Sequence, residues 1–296
     1  MPKTWNLAAV TLGVLTLAAQ TRAPQAPSDI HRRLAAFVTA READFIAVRR
    51  DLHRHPELSG REQRTAGIVA ARLKALGLDV RTGVGGYGVV ATLTGGRPGP
   101  LVAYRAVMDA VPSTAPDPAP FPSEVPGVGH ICGHDVHVTI GVGLATALAQ
   151  VRSDLPGRVM FIFQPAEERA TGARAMLDDG LFATGLPVAI FGLHASPLEA
   201  GRITSKAGLM MHSNAIAPGV TNDAALYASA RQDLVRAMGD AAFVELDAPP
   251  AGFSEDFGDY QARVPGVFFF LGLGNSARGI RAMPHSADFN VDEAGI

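Results

Sequence analysis

The chain has 296 residues, of which 47% are hydrophobic, and such a chain can bury one large core without disulfide bonds. Its 26 basic and 28 acidic residues nearly cancel, which excludes the broad electric field that would hold nucleic acid or an anionic membrane. We therefore expect the partner to be a small molecule or a peptide.

The N-terminus carries an apolar stretch at residues 7–19, which follows Lys3 and precedes a polar, proline-rich segment. A positive charge, a short apolar run and small residues form the pattern of a secretory signal peptide, which we assign to residues 1–23 with an open cleavage site. The stretch is short for a membrane span. We expect a periplasmic or secreted protein with no span after signal removal, the alternative being a buried or anchoring helix.

Apolar residues recur at helical spacing from residue 28 to residue 76 and predict two helices, which are separated at His55-Pro56 and end before Gly77. Further apolar runs between glycines and prolines predict strands, and longer runs predict helices. The predicted strands cover residues 88–93, 101–104, 159–163, 188–193 and 267–273, and the predicted helices cover residues 139–151, 170–179 and 224–238.

Strands that alternate with helices in this way predict one α/β domain over residues 28–296, with a mainly parallel sheet flanked by helices. The continuous apolar run at residues 159–163 is typical of a parallel strand that is covered on both faces. Ligands bind to such sheets beyond the carboxyl ends of the strands.

Side chains that can bind metals stand after these apolar runs or in the loops between them. They are Cys132, His134, Glu167, Glu168, His194 and His285. Thiolate, imidazole and carboxylate suit zinc and its neighbours among the divalent transition metals. Singly, each has an ordinary explanation, such as a small buried thiol or the acidic start of a helix. Together, at the ends of strands, they predict a metal site.

Local geometry sharpens this prediction. If residues 132–134 are extended, Cys132 and His134 point to the same side and one short loop supplies two ligands. On an extended segment Glu167 and Glu168 would instead point to opposite sides, so one would face the metals and the other the substrate.

Six strings carry a resemblance to a known family. They are RRDLHRHPELS (49–59), MDAVPS (108–113), PFPSEVPGVGHICGHDVHVT (120–139), FIFQPAEE (161–168), IFGLHASP (190–197) and FSEDFGDY (253–260). The sequence resembles the amidohydrolase branch of the metal-dependent aminoacylase and carboxypeptidase family, which includes hippurate hydrolases and hydrolases of indoleacetic acid conjugates. The resemblance covers about residues 30–296 and implies a zinc-peptidase-like catalytic domain.

The resemblance also implies roles, motif by motif. Two divalent ions, of manganese, zinc, cobalt or nickel, would be bound by Cys132, His134, Glu168, His194 and His285. Glu167 matches the general base, which takes a proton from water and later delivers it to the leaving amine, and Asp109 matches an aspartate that orients a ligand. The implied reaction is hydrolysis of the amide bond of an N-acyl amino acid or small peptide.

Other polar residues of these strings receive supporting roles. We expect His137 to be a further ligand or, preferably, a hydrogen-bonding partner of the ligands, with His130 in the same network. Asp135 is expected to orient the metal loop. His53 and His55 stand at a helix break before a proline, where we expect a cap or packing role.

The sequence departs from the family in two places. Relatives insert a lid domain of about 110 residues, which also forms their dimer, where this chain runs directly through residues 213–221. We therefore expect neither the lid nor the family dimer, and the oligomeric state stays open. Val107 stands where relatives carry an acidic residue, and its apolar side chain cannot hydrogen-bond the metal shell, so we expect lower metal affinity or looser ligand orientation.

Three functions remain open. The first is a two-metal hydrolase of N-acyl amino acids or small peptides. The second is a non-catalytic or weakly active metal-binding remnant, because the family's lid supplies residues for the oxyanion and the substrate carboxylate. The third is a secreted domain that binds a peptide in an open cleft. Glu167 distinguishes them, since an enzyme needs this residue and metal storage does not.

Overall fold

The structure is a computed structural model that describes residues 28–249 and 253–296. The predicted signal peptide lies outside the described residues. Within the described ranges, none of the helices combines the length and apolar character needed to cross a bilayer.

The described helices and strands alternate along much of the chain. The helices are α1 (Asp29–Arg54), α2 (Gln63–Ala75), α3 (His134–Gln150), α4 (Gly172–Asp178), α5 (Ala224–Met238) and α6 (Phe257–Gln261). The strands are β1 (Asp79–Val84), β2 (Gly88–Thr94), β3 (Arg97–Val107), β4 (Val111–Pro112), β5 (Val128–Gly129), β6 (Pro156–Gln164), β7 (Ala189–Glu199), β8 (Ile203–Ser205), β9 (Gly208–Met211), β10 (Val220–Asn222), β11 (Phe243–Glu245) and β12 (Gly266–Gly274).

Eight of these strands form one mixed sheet in the order β1-β2-β6-β3-β7-β12-β8-β11. The four central strands β6, β3, β7 and β12 are parallel to one another. Antiparallel pairing joins β1 to β2, β2 to β6 and β8 to β12, while β11 is parallel to β8. The predicted α/β class with a mainly parallel mixed sheet is confirmed.

The core lies on both faces of this sheet, and β6 shows why. Phe161 and Phe163 pack into a cluster with residues of α1, α2 and α3. Met160 and Ile162, which point to the opposite face, pack into a cluster with residues of α4 and α6. Because successive side chains of a strand alternate between the faces, a strand covered on both sides must be apolar throughout. Burial of β6 on both faces therefore explains the uninterrupted apolar run at residues 159–163.

The structure corrects several predicted boundaries. Helix α3 begins at His134, five residues before the predicted start at 139, because Gly133 adopts a left-handed conformation with φ of 87° and turns the chain directly into the helix. Strand β7 continues to Glu199, since its parallel pairing with β12 extends that far, so His194 lies inside a strand and not after one. Strands β1, β4, β5 and β8 to β11 escape prediction because they are short or partly exposed.

The predicted lid position lies between β9 and β10, which pair antiparallel. Residues 212–219 connect the two strands directly, and the side-chain oxygen of Asn214 accepts hydrogen bonds from the backbone N–H groups of Ile216 and Ala217. The absence of a family domain at this place, and the oligomeric state, stay predictions.

The start of α4 generates a test of packing. A Cβ atom on Gly172 would overlap the carbonyl oxygen of Pro165, whereas a Cβ atom on Gly67 in α2 would meet nothing within 4 Å. Backbone at Pro165 cannot give way cheaply, so Gly172→Ala is expected to lower the free energy of unfolding by about 1 to 3 kcal/mol. Gly67→Ala, the matched control, should raise it by about 0.5 to 1 kcal/mol through helix propensity. Urea denaturation followed by circular dichroism measures both, and similar effects at the two sites would contradict this packing.

Candidate metal centre

The predicted metal-binding side chains come from separate elements and meet at the carboxyl edge of the central strands. Cys132 precedes α3, His134 begins it, Glu167 and Glu168 form a 3-10 turn after β6, His194 lies in β7, and His285 lies in the loop after β12. Their donor atoms form three groups, and within each group the atoms lie within 4.8 Å of one another. The groups are Cys132, His134 and His194; Cys132, Glu168 and His285; and His134, Glu167 and Glu168.

The three groups overlap and so form one continuous cluster. Cys132 Sγ lies 3.3 Å from His194 Nε2, and His285 Nε2 lies 3.4 Å from Glu168 Oε2. His134 Nε2 is 3.7 Å from both Glu167 Oε2 and Glu168 Oε1. Cys132, His134 and Glu168 each belong to two groups, as ligands of neighbouring ions would.

Hydrogen bonds outside the cluster orient its imidazoles. His134 Nδ1 lies 2.8 Å from the carbonyl oxygen of Asp109, and His194 Nδ1 lies 2.8 Å from that of Ala195. Because a carbonyl only accepts, we infer that each Nδ1 carries the proton and that each Nε2 presents its lone pair to the cluster. This is the usual arrangement of a histidine that binds a metal through Nε2.

Buried atoms without partners provide a second sign that a cation fits. His134 Nε2 and Glu168 Oε1 are buried and have no hydrogen-bond partner among the described residues. Buried polar atoms in folded proteins nearly always have one. The donor types, one thiol with imidazoles and carboxylates, suit a divalent transition metal, so the residues present fit such an ion.

Burial sets the protonation of the cluster. It lowers the pKa of His194 to about 4, which keeps this imidazole neutral. Burial, reinforced by the negative charges of Glu168 and Glu167, raises the pKa of the Cys132 thiol. Burial and the carboxylates of Glu255 and Asp256 raise the pKa of Glu167. A divalent cation would oppose the raised pKa values by favouring thiolate and carboxylate, so metal binding at this cluster would release protons.

The backbone around the cluster is strained. The described residues other than glycine that have positive φ are Ala166 (52°), Ala170 (51°) and His285 (69°), and all three border the site. Each costs about 1 to 3 kcal/mol and persists only where surrounding contacts enforce it. Ala166 N–H donates to Glu62 Oε1, and His285 N–H donates to the carbonyl oxygen of Ile131.

This backbone corrects the expectation of extended segments. Residues 132–134 turn at the left-handed Gly133, and Glu167 and Glu168 lie in a 3-10 turn. Both glutamates therefore reach the same group with His134 instead of pointing to opposite sides.

Asp109 connects three parts of the site. Its Oδ2 accepts hydrogen bonds from Ser59 Oγ at 2.7 Å and from the backbone N–H of Glu168 at 2.9 Å, while its Oδ1 lies 3.3 Å from His134 Nδ1. The residue is fully buried. Val107, two residues earlier at the end of β3, is also fully buried. Its proposed effect on metal affinity stays a prediction.

His137 and His130 lie close to this cluster. The ring centroid of His137 is 5.0 Å from that of His134 and 4.8 Å from that of His194, and its Nε2 accepts a hydrogen bond from the backbone N–H of Ala195. His137 belongs to none of the donor groups found in the described residues, in keeping with a supporting role, which stays a prediction. Burial lowers the pKa of His130 to about 4, so this ring is neutral.

The two N-terminal histidines differ from each other. His55 caps the C-terminus of α1, as predicted, and its backbone N–H donates to the carbonyl oxygens of Asp51 and Leu52. His53 is not a cap: its ring is buried between Asp135 Oδ2, at 2.9 Å, and Asp117 Oδ2, at 3.1 Å. Burial lowers the pKa of His53, but these two carboxylates outweigh that effect and raise it to about 9.

The expected role of Asp135 in orienting the metal loop has a structural basis. Asp135 follows His134 in the first turn of α3 and is buried. Its Oδ2 accepts hydrogen bonds from Arg49 Nε and from the His53 ring, both on α1. The salt bridge thereby joins α1 to the turn that carries His134.

A buried ionic network beneath Glu167 was missed by sequence reasoning. Arg105 donates to both carboxylate oxygens of Glu255, at 3.0 and 2.7 Å, to Asp256 Oδ1 at 2.8 Å and to Gln164 Oε1 at 2.9 Å. Glu167, Glu255 and Asp256 each place one carboxylate oxygen within 4.8 Å of the other two. The sequence did contain a signal for this network. Arg105 lies inside the apolar part of β3, which ends at Val107, and a buried guanidinium there needs a partner.

This network joins the end of β6 to the start of α6. Gln164, the last residue of β6, donates through Nε2 to both oxygens of Asp256 at 2.9 Å, and Tyr260 of α6 donates its hydroxyl to Gln164 Oε1. The carboxylates of Glu255 and Asp256 bind the one guanidinium of Arg105, and the carboxylate of Glu167 lies beside them. Burial accordingly raises the pKa of Asp256 to about 7, although Arg105 opposes the shift.

An α/β sheet whose strand ends gather imidazole, thiol and carboxylate has the architecture of a protein that can bind divalent metal ions beyond its strand ends. The chain belongs to peptidase family M20/M25/M40, whose family model matches residues 103–296.

Individual relatives agree with this membership. N-acetylcysteine deacetylase of Bacillus subtilis is 42% identical over 176 residues, which are 57% of this chain and 44% of the relative. The IAA-amino acid hydrolase ILR1-like 2 of Arabidopsis thaliana is 36% identical over 184 residues, which are 61% of this chain and 41% of the relative. The chain thus spans less than half the length of these curated relatives.

Solved structures show the same fold. Bacillus subtilis YXEP, described as a dinuclear metal binding peptidase from the M20 family, superimposes with a TM-score of 0.77 at 26% identity. The superposition covers 87% of this chain and 94% of that one.

The contacts of Asp109 generate a test by metal binding. Asp109→Asn removes the negative charge that faces His134 and places an amide nitrogen at one of the two oxygen positions, so the orientation of His134 and Glu168 is loosened. We expect zinc affinity to fall about 10- to 100-fold. Competition with a chromophoric chelator measures it. Ser59→Ala, which removes one donor and keeps the carboxylate, is the control and should have a smaller effect; equal affinity for Asp109→Asn and wild type would contradict this role.

The Arg105 network generates a test of stability. Arg105→Met leaves Glu255 and Asp256 buried without their cation, and we expect the free energy of unfolding to fall by about 3 to 5 kcal/mol. Arg174→Met removes the ion pair from Arg174, whose side chain is 64% exposed, to Asp259, and should change it by less than about 1 kcal/mol. Guanidinium denaturation compares the two variants. A small effect at Arg105 would show that the network does not hold β6 to α6.

Proposed function

We propose that this chain is a metal-dependent hydrolase that cleaves the amide bond of N-acyl amino acids or small peptides with water. The observation that carries the proposal is the continuous cluster of donor atoms, in which His134 Nε2 and Glu168 Oε1 are buried without a hydrogen-bond partner among the described residues, next to one carboxylate that the family resemblance assigns to the general base. That carboxylate belongs to Glu167.

Five residues would hold the two ions: Cys132, His134, Glu168, His194 and His285. Bound divalent ions would polarise the amide carbonyl and lower the pKa of a water molecule between them. Glu167 lies at the edge of this cluster and lines the cavity that opens beside it. Its carboxylate would accept a proton from the attacking water and deliver it to the leaving amine.

Two lines of support come from relatives. The names N-acetylcysteine deacetylase and IAA-amino acid hydrolase both describe cleavage of an acyl group from an amino acid. The YXEP protein, which shares this fold, is a dinuclear metal binding peptidase. We also propose export, on the strength of the apolar stretch at residues 7–19 behind Lys3.

A second candidate is a metal-binding remnant with little activity. The observation that favours it is the direct connection of β9 to β10 through residues 212–219, at the place where the resemblance implies a lid that supplies oxyanion and carboxylate contacts. Loss of one oxyanion donor typically lowers a rate by about 10²- to 10³-fold.

The test separates chemistry from metal binding. Protein loaded with manganese, zinc or cobalt is assayed with benzoylglycine, and metal content is measured on the same samples. We expect wild type to release benzoate. Glu167→Gln, which keeps the shape of the side chain, should lower kcat by about 10²- to 10⁴-fold with unchanged metal content. Glu168→Gln, the matched neighbour, should instead lose metal.

The other outcomes separate the two candidates. Two tightly bound ions without turnover of any acyl amino acid would favour the remnant. Turnover that Glu167→Gln leaves intact would contradict the assigned base, and wild type that binds no metal would remove the basis of both candidates.

A further inference from the structure

The turn that carries Glu167 and Glu168 has an unfavourable backbone. We name residues 166–172 the glutamate turn. It begins at Ala166, with φ of 52°, and contains Ala170, with φ of 51°, and residues with a Cβ atom rarely adopt such angles. The N–H of Gly172 donates to the carbonyl oxygen of Ala166 and closes the turn on itself. A backbone of this kind persists only where contacts from outside hold it.

Three carboxylates from other parts of the chain make such contacts, and all three are fully buried. Each accepts a hydrogen bond from a backbone N–H of the turn or of the residue after it. The pairs are Ala166 with Glu62 Oε1 at 2.9 Å, Glu168 with Asp109 Oδ2 at 2.9 Å, and Ala173 with Asp256 Oδ2 at 3.0 Å. Glu167 lies between the first two donors, so its backbone is held on both sides.

Glu62 has no local role that explains its burial. It directly precedes α2, but its side chain does not cap that helix. Glu57 does so instead, because its two carboxylate oxygens accept hydrogen bonds from the backbone N–H groups of Arg64 and Thr65 at 2.9 and 2.8 Å. Glu62 Oε1 accepts one further hydrogen bond, from the N–H of Gly60 at 2.8 Å. Since burial of a carboxyl group is costly, its contact with the glutamate turn needs an explanation.

The loop between α1 and α2 reaches the glutamate turn on both sides of Glu167. Ser59 donates to Asp109, which binds the residue after Glu167, and Glu62 binds the residue before it. Loss of the Glu62 contact would therefore free one side of Glu167 and leave the other side held.

We propose that Glu62 is a positioning residue for the general base: through the N–H of Ala166 it holds the glutamate turn in the conformation that directs the carboxylate of Glu167. Glu62 belongs to none of the donor groups found in the described residues and does not line the cavity beside them, so it acts through the backbone. A small displacement of a reacting group lowers a rate strongly. This inference rests on the proposed hydrolase function and adds a residue to it.

Three variants separate the hydrogen bond from general stability. Glu62→Met keeps the approximate length of the side chain and removes the acceptor oxygens. Glu62→Gln keeps one acceptor oxygen, and one is enough because Oε1 alone accepts both hydrogen bonds, while Oε2 has no partner among the described residues. Glu57→Met, on the same loop, is the matched control, since it removes acceptors from α2 and not from the glutamate turn.

The first experiment measures benzoylglycine hydrolysis by the metal-loaded full chain at equal metal content. We expect Glu62→Met to lower kcat by about 10- to 100-fold. Its KM should stay within about threefold of that of wild type, because the lost contact affects the reacting group and not the substrate. Glu62→Gln should restore kcat to within about threefold of wild type, since its amide oxygen accepts the same hydrogen bonds. Glu57→Met should lower the unfolding midpoint and leave kcat within about threefold of wild type, because it loses only helix-capping bonds.

The second experiment does not depend on activity. Hydrogen–deuterium exchange is measured by mass spectrometry on the full chain, with and without bound zinc. In Glu62→Met we expect exchange in residues 166–172 to be faster by about 10-fold or more, since a hydrogen bond to a charged group is lost, and Glu62→Gln should restore the protection. In Glu57→Met the faster exchange should instead appear at residues 64–65.

Three results would overturn the inference while leaving the hydrolase intact. The first is a kcat of Glu62→Met within about threefold of wild type, which is too small a change for a displaced base. The second is an equal loss of kcat in Glu57→Met, which would assign the effect to general stability. The third is a Glu62→Gln variant as slow as Glu62→Met, because the hydrogen bond to Ala166 would then not carry the effect.

Two further outcomes are covered by the same design. If Glu62→Met does not fold, Glu62→Asp takes its place with the same expectation, since it keeps the charge and withdraws the oxygen from Ala166. If wild type releases no benzoate, the hydrolase function fails by itself. The exchange of residues 166–172 then decides whether Glu62 holds the turn, and unchanged exchange in Glu62→Met would refute that hold.

Discussion

The whole site depends on one buried carboxylate, that of Asp109. It accepts hydrogen bonds from the loop that carries Ser59 and from the turn that carries Glu168, and it faces the Nδ1 of His134 at the start of α3. These three segments are far apart in sequence. Because a buried carboxylate needs hydrogen-bond donors or a positive charge beside it, Asp109 fixes their relative positions and thereby aims two donor atoms at one point.

Two buried guanidinium groups support the cluster from outside. Arg49 on α1 holds Asp135, which follows His134, and Arg105 on β3 holds Glu255 and Asp256 beneath Glu167. Such pairs contribute little net stability, since desolvation offsets much of their attraction. Their effect here is directional: each arginine presents donors in a fixed plane and so fixes where the neighbouring carboxylates point. The cluster is thus held in part by two arginines that are not among its donor groups.

The sheet could be predicted from the sequence more completely than the site. The apolar run at residues 159–163 identifies β6 because both faces of a central strand must be apolar, and the acidic pair after it identifies the strand end. The same reasoning placed His194 after the end of a strand. This was wrong, because pairing with β12 extends β7 past His194. The turn at Gly133 depends on a tertiary fit that periodicity does not encode. Arg105 and Glu255 meet across 150 residues of sequence, and no local pattern shows such a pair.

The most exposed member of the cluster connects the metal centre to the cavity beside it. The His285 side chain is 53% exposed and its backbone is left-handed, yet its N–H donates to the carbonyl oxygen of Ile131 in the metal loop. Met283 and Pro284, which line the cavity, directly precede it. An ion bound by His285 would therefore also contact the segment that lines the cavity, and a ligand packed on Met283 would also reach His285. Any coupling between the two binding events is reciprocal in free energy, so each event changes the affinity of the other by the same factor.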